Sequence, residues 1–322
     1  MSVRFRLSEI VCKFTAWFRQ EVFKTVFTCP AAWCFVAIWA IAATYLVAIG
    51  RVFIVLQCLC LLVIVMFFCV ITVGITRTEH KTKVKLSRTR QGLLLLQIVV
   101  IAFFICITWY TSLMFHGVVE RHSIPVWSSI IRAFSHLGEQ AFINDIVVNP
   151  ALAMANPAKY FLLPLPFLLV LGARFSELGF RRGHRTLSVL TLWCFIPVVV
   201  WVYLLAFGRL SCRVLIHRWL SHLLINGFGE EFLFRGALQT RLKALLNPSW
   251  AIVIQALLWG IWHFGKNFNH LKYVDINDTI AVISFCIVGS VTSGLALGII
   301  FQRTQNLVAC SIIHIAKNSL LG

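Results

Sequence analysis

The chain consists of long apolar runs that alternate with short polar or basic segments. The runs Ala31 to Gly50, Val52 to Thr76 and Leu93 to Phe115 contain no charged residue. A helix needs about 20 apolar residues to cross the hydrocarbon core of a bilayer. The strands of a membrane barrel would instead alternate apolar and polar residues over about 10 positions. The pattern therefore predicts an all-α protein, a polytopic transmembrane helical bundle.

The apolar runs predict eight or nine spans. The fourth run is the weakest, because it is short and contains Pro164 and Pro166, so an eight-span bundle is the main alternative. The nine candidate spans lie near residues 31–50, 52–75, 93–115, 160–173, 187–207, 217–238, 249–265, 279–301 and 305–321.

The N-terminal residues 1–30 have a different pattern, which predicts an amphipathic helix. Apolar residues such as Leu7, Ile10 and Phe14 recur at helical spacing, and the basic residues lie mostly elsewhere around the helix. Such a helix can lie on the membrane surface. The alternative, a helix packed against the bundle, stays open.

The basic segments predict the orientation of the bundle. If the N-terminus is cytoplasmic, the main basic segments fall on the cytoplasmic side, as the positive-inside rule requires. These segments are residues 77–90, 174–185, 235–243 and Arg303. The exceptions lie on the outer side or inside a long tilted helix, and they are Arg209, Arg213 and Arg218. We expect a multi-pass protein of a prokaryotic plasma membrane rather than the endoplasmic reticulum.

Polar residues divide the chain into two halves. Residues 116–159 are too polar to span and predict an outer loop with interfacial helices. We therefore expect an accessory transmembrane half, residues 31–158, and a second, catalytic half, residues 159–322. In the eighth span a face of small residues lets helices approach closely. This face is formed by Ser290, Gly294 and Gly298.

Composition agrees with a lipid environment. The chain is 60% hydrophobic and 12% charged, with a mean hydropathy of +0.87. The net charge of +18 comes from short loops, which favours anionic lipid headgroups as partners and excludes nucleic acid. Most of the 11 cysteines lie in apolar runs and no CxxC occurs, so they are interpreted as small hydrophobic residues.

Ionisable groups inside apolar spans are energetically expensive, so each is a functional candidate. Three of the last four spans contain such groups. In chain order these spans contain Glu230, Glu231 and Arg235, then His263, and finally His314 with Asn318.

The spacing of these residues separates the roles of the two glutamates. Glu231 and Arg235 are four residues apart and share a helix face, so Glu231 is predicted to be a paired, structural carboxylate. Glu230 is rotated by about 100° around the helix. It shares its face with Asn226 and His222, and it is free to meet neighbouring helices.

These groups have the parts for peptide hydrolysis. His314 and Asn318 are also four apart and project together, so a cavity can combine one carboxylate, two imidazoles and one carboxamide. The carboxylate can act as a general base toward water, and one histidine can relay the proton. The second histidine and the carboxamide can donate hydrogen bonds to an oxyanion. No GxSxG or HExxH motif is present, so water-mediated acyl hydrolysis without a cofactor is predicted.

Three motifs on successive spans resemble a known family. They are the EExxxR run at 230–235, the WxxxH run at 259–263 and the HxxxN run at 314–318. Their order and spacing are similar to the signatures of the CPBP family, which joins the type II CAAX prenyl endopeptidases to bacteriocin-processing and immunity proteins. The resemblance covers roughly residues 160–322 and implies an intramembrane glutamic-type endopeptidase. The segment 177–182 also resembles a short basic loop common in that family.

The resemblance implies a catalytic set and a supporting set of residues. In the catalytic set, the first two residues activate water and the last two stabilise the oxyanion: Glu230, His263, His314 and Asn318. The supporting set is Glu231, Arg235 and Trp259. Trp259 departs from the family pattern, in which Phe is usual, and the larger ring is expected to reshape the substrate cavity.

Two other classes of function remain open. Glu230, His263 and His314 could form a zinc-like ligand set in a metal-dependent protease. Alternatively, a non-catalytic immunity protein or a transporter could use the same buried polar residues to bind an ion or a partner. For the peptidase, the expected partners are membrane lipids and a peptide or membrane-protein substrate, with or without a lipid modification.

Overall fold

A computed structural model of the chain describes residues 28–76, 87–141, 147–272 and 278–321. Within these ranges the regular elements are helices and there is no strand, which confirms the all-α prediction. The predicted amphipathic helix at the N-terminus lies outside the described residues. In chain order the helices are α1 (Pro30–Ala48), α2 (Val52–Ile75), α3 (Arg88–Phe115), α4 (Pro125–Ala141), α5 (Pro150–Val170), α6 (Thr186–Ala206), α7 (212–245), α8 (Pro248–Trp262), α9 (Phe264–Lys272), α10 (Thr279–Thr304) and α11 (Leu307–Leu321).

Several helices are apolar enough to span a membrane. Among the described residues, α1, α2, α3, α5, α6 and α10 are six helices of sufficient length and hydropathy, and α8 and α11 are shorter apolar helices. Large apolar side chains on their outer faces, such as Val63 and Phe67 of α2, are more than half exposed. The protein is therefore an integral membrane protein. The number of spans, eight or nine, stays a prediction.

The helix ends follow local sequence signals. Pro30, Pro150 and Pro248 occupy the first turns of α1, α5 and α8, where the missing N–H has no partner to lose. Asp278 caps α10 by accepting from the backbone N–H groups of Ile280 at 3.1 Å and Ala281 at 3.2 Å. The hydroxyl of Tyr45 also donates to Asp278, and this bond is the main reason why the pKa of Asp278 lies below its ordinary value.

The start of the fourth apolar helix differs from the prediction. The sequence predicted a span at 160–173 after a loop, whereas α5 runs from Pro150 to Val170. The helix continues past Pro157 because a π-helical stretch, Ala158–Leu162, follows the proline and changes the local hydrogen bonding. The proposed division at 158/159 therefore falls inside a helix. Part of the predicted outer loop is helical as expected, in α4.

The helix α7 is longer than predicted. It spans residues 212–245 instead of 217–238, which corresponds to about 50 Å at a rise of about 1.5 Å per residue. That length exceeds the bilayer core of about 30 Å. Arg213 and Arg218 lie in the first two turns of this long helix. The orientation of the bundle stays a prediction.

The two halves of the chain share one core. Ile101 and Phe104 of α3 belong to the same buried cluster as Phe232 and Leu233 of α7. Polar contacts also join the halves, because the indole N–H of Trp193 donates to Thr72 Oγ1 at 2.8 Å. The first half thus supports the helices that contain the candidate site.

Candidate active site

The adjacent glutamates lie in an irregular part of α7. A single α-helical turn, Phe228–Glu231, is flanked by the π-helical stretches Leu223–Gly227 and Phe232–Gln239. Such π-helical turns are rare in proteins, and those that occur often lie at functional sites. Both glutamate side chains are buried, at 5% exposure for Glu230 and 0% for Glu231. Two carboxylates held this close in a low-dielectric interior require counterions or hydrogen bonds.

Glu231 has two such partners. Arg235 donates from Nη1 to Glu231 Oε1 at 3.0 Å, so the pair expected from the four-residue spacing is present. His314 Nδ1 lies 2.8 Å from the same oxygen. Arg235 also donates to the carbonyl of Gly294 at 3.3 Å, and its guanidinium lies 5.0 Å from the ring centroid of Trp259. Glu231 is thus the centre of a buried network that joins α7, α8, α10 and α11.

Small residues on α10 make this network possible. A Cβ atom at Gly294 would lie 3.1 Å from the Cα of Ala256, which is tighter than most real Cβ contacts, so glycine favours the close packing of α8 and α10. The close approach exposes backbone carbonyls to side chains of neighbouring helices. Gly294 accepts from Gln255 at 2.9 Å as well as from Arg235, and Gly298 accepts from Gln239 at 2.9 Å. The small-residue face therefore serves polar contacts as well as packing.

Glu230 contacts a different helix, α8. The indole N–H of Trp259 donates to Glu230 Oε2 at 3.1 Å. His263 Nε2 lies 3.6 Å from the same oxygen. The structure therefore brings together Glu230, Trp259 and His263, three of the residues that the sequence singled out.

The tautomer of His263 follows from its other contact. His263 Nδ1 lies 2.8 Å from the carbonyl of Trp259, and a carbonyl can only accept, so Nδ1 holds the proton. In the neutral ring, Nε2 is then an acceptor. Nε2 and the carboxylate of Glu230 are two acceptors 3.6 Å apart, which is too long for a direct hydrogen bond. A water molecule that donates one hydrogen to each atom would satisfy both.

His314 and Asn318 do not lie directly beside Glu230, where the sequence had predicted them. The sequence placed both beside Glu230, whereas the ring of His314 contacts Glu231 and lies 5.9 Å from the ring centroid of Trp259. Asn318 lies one turn further along α11 and is partly exposed. Among the described residues, its carboxamide has no hydrogen bond with the other site residues. The four catalytic candidates therefore share one region, but only Glu230 and His263 face each other directly.

Two features of the site were not predicted from the sequence. Lys317 is a charged residue inside the apolar helix α11, and its ammonium group donates to Ser293 Oγ at 2.6 Å. The cost of a charge inside a span was the signal that could have identified it. For Trp259 only an effect on the shape of the substrate cavity was expected, although a buried indole N–H normally has a hydrogen-bond acceptor. Here that acceptor is Glu230.

The alternative metal site is not supported by the arrangement of donor atoms. Among the described residues, no group of three or more His, Cys, Asp and Glu side chains could hold a metal ion. His314 points its Nδ1 at Glu231, while His263 faces Glu230, so the proposed ligand set of Glu230, His263 and His314 does not converge on one point.

Comparison with known proteins gives a match to the C-terminal part of the chain. Residues 213–320 match a family model described as type II CAAX prenyl endopeptidase Rce1-like. No curated protein and no solved structure matches the chain. The matched segment contains every catalytic and supporting candidate, from Glu230 to Asn318. Over residues 213–320 the chain is thus similar to the Rce1-like type II CAAX prenyl endopeptidases, and this match supports the resemblance of its motifs to the CPBP family.

Proposed function

We propose that the protein is an intramembrane endopeptidase that hydrolyses a peptide bond with a water molecule held between Glu230 and His263. This proposal rests on one observation. Two acceptor atoms, Glu230 Oε2 and His263 Nε2, face each other at 3.6 Å, and the tautomer of His263 is fixed by the carbonyl of Trp259. A water molecule that donates one hydrogen to each acceptor has its oxygen lone pairs free for attack.

The chemistry follows from this arrangement. The water oxygen forms a bond with the carbonyl carbon of the scissile peptide, and Glu230 takes the released proton as general base. The resulting tetrahedral intermediate has a negative oxygen. The C–N bond then breaks, and the proton passes from Glu230 to the leaving nitrogen, which departs as an amine. A covalent intermediate with the enzyme is not required.

The proposed role of His314 and Asn318 is to stabilise the oxyanion by donating hydrogen bonds to it. Glu231 accepts from His314 Nδ1, so His314 can also donate from Nε2 when the ring is an imidazolium. The carboxamide of Asn318 is partly exposed and has two N–H donors that can turn toward a bound substrate.

The substrate is expected to be a membrane-associated peptide or protein, with or without a lipid modification. The test is mass spectrometry of new peptide termini in membranes from cells that produce either the wild-type chain or Glu230→Gln. We expect a set of termini that appears only with the wild-type chain, because the variant lacks the base. Identical termini in both membranes would overturn the proposal.

Loss of the hydrogen bond from Trp259 to Glu230 is expected to slow cleavage without abolishing it. We expect Trp259→Phe to slow cleavage roughly tenfold to hundredfold, because a hydrogen bond to a charged group contributes about 1.5–3 kcal/mol. Some cleavage should persist, since Phe is usual here in the CPBP family. The control is Trp262→Phe, which removes a bond at 3.0 Å to the neutral hydroxyl of Thr108 and should change the rate only slightly. Equal losses in the two variants would contradict the role of Trp259.

A further inference from the structure

A cavity with several charged side chains in its lining lies toward the C-terminal end of α7. Its volume is about 440 Å³, and it is lined by residues from the start of α3, the loop between α5 and α6, and the ends of α7 and α10. Along α7, Arg241 lies eleven residues after Glu230, which corresponds to about 16 Å. The cavity is therefore separate from the candidate active site.

The lining is strongly basic. The cavity contains four cationic side chains and one carboxylate: Arg90, Arg181, Arg241, Lys243 and Glu177. They come from three of the basic segments that the sequence predicted on one side of the membrane. The structure places these five side chains together at one end of the bundle, which agrees with a shared side of the membrane.

The arginines are held in place by neutral partners and by one acid. Arg241 is 1% exposed and donates to Gln97 Oε1 at 2.9 Å and to the carbonyl of Gly236 at 3.1 Å. Arg90 donates to Glu177 at 2.7 Å, and Arg181 is held by the side chain of Gln305. These contacts fix the guanidinium groups before any ligand arrives.

One N–H donor group of these arginines has no hydrogen-bond acceptor among the described residues. Within the described part of the chain, the Nη2 atom of Arg241 is buried and has no hydrogen-bond partner. A buried donor without an acceptor costs about 1–3 kcal/mol, so an acceptor delivered by a ligand would be stabilising. Arg241 lines the cavity, so a ligand there would lie beside its guanidinium group.

The charges of the lining are not balanced. Glu177 already accepts from Arg90 and from the backbone N–H of Arg174 at 3.3 Å. The like charges of Arg90 and Arg241 are close enough to repel each other, as are those of Arg181 and Lys243. A multivalent anion between them would replace repulsion by attraction.

We propose that this cavity binds a phosphate group. Guanidinium groups match phosphate oxygens through paired N–H donors, and several of them converge here with a lysine. The favoured source is the headgroup of an anionic phospholipid, because basic pockets between transmembrane helices at the membrane surface bind such headgroups. The same chemistry would accept free phosphate or pyrophosphate. The proposal does not rest on the peptidase activity.

The test is binding by the purified full-length chain in nanodiscs of phosphatidylcholine with or without phosphatidylglycerol, together with added inorganic phosphate or pyrophosphate. Bound lipid is counted by native mass spectrometry, and stability is followed by thermal unfolding. The variants are Lys243→Gln and Arg181→Gln. The matched control is Arg182→Gln, because Arg182 is an exposed neighbour in the same loop that does not line the cavity.

We expect phosphatidylglycerol to remain bound to the wild-type chain and to raise its unfolding temperature. Each cavity variant should bind it about fivefold more weakly, as expected for the loss of one basic side chain near anionic lipid. In pure phosphatidylcholine, Lys243→Gln should unfold no earlier than the wild type, because it removes the repulsion between Lys243 and Arg181. Stabilisation by soluble phosphate, lost in the same variants, would support the site with a free anion as its ligand. Equal binding by Lys243→Gln, Arg181→Gln and Arg182→Gln would overturn the proposal.

Discussion

Replacing Glu230 with Gln is expected to abolish peptide-bond cleavage while the protein still folds in the membrane. Gln has the same size and can still accept the hydrogen bond from Trp259 through its amide oxygen. An amide cannot take a proton from water, so the general base is lost. General-base catalysis contributes about 10²–10⁴-fold, and we expect a decrease of about 1,000-fold or more.

The measurement is cleavage by the purified full-length chain of the peptides whose termini appear only with the active protein. The control is Glu139→Gln, the same substitution at an exposed position on α4. Both variants should unfold within a few degrees of the wild type. Undiminished cleavage by Glu230→Gln would contradict the mechanism, whereas a large loss in Glu139→Gln would show that the assay responds to general damage.

The apolar pattern was sufficient to predict most of the fold, because lipid-facing helices need continuous apolar runs. It failed at α5, where Pro150 and Pro157 were interpreted as parts of a loop. A proline in the first turn of a helix costs little, and a π-helical stretch follows the second one. Such hydrogen-bonding detail is not visible in an apolar count.

The site was predictable within a helix and less so between helices. The contact between Glu231 and Arg235 follows from a spacing of four residues, which is local. The contact of His314 with Glu231 depends on how α7 and α11 are rotated about their axes. One residue along an α-helix corresponds to a rotation of about 100°, and π-helical turns change the count further. Sequence periodicity alone therefore did not show which glutamate His314 meets.

Replacing Arg235 with Met is expected to destabilise the whole bundle, in contrast to the local effect of the Glu230 variant. Glu231 is fully buried, and its charged partner is Arg235 at 3.0 Å. Removing one member of a buried ion pair typically costs about 3–5 kcal/mol, because it leaves a charge without compensation. We therefore expect a low yield of folded protein and a clearly lower unfolding temperature. The control is Arg182→Met, at an exposed position, which should behave like the wild type.

A double variant separates the loss of charge balance from the loss of packing. In Glu231→Gln with Arg235→Met, the buried charge disappears together with its partner, so a large part of the stability should return. Proteolysis is not expected to return with it, because His314 would then face a neutral amide in place of the carboxylate of Glu231. If the double variant were as unstable as Arg235→Met, the contacts of Arg235 with Gly294 and Trp259 would be its main contribution. Recovery of folding without recovery of cleavage would instead assign Glu231 a role in positioning His314.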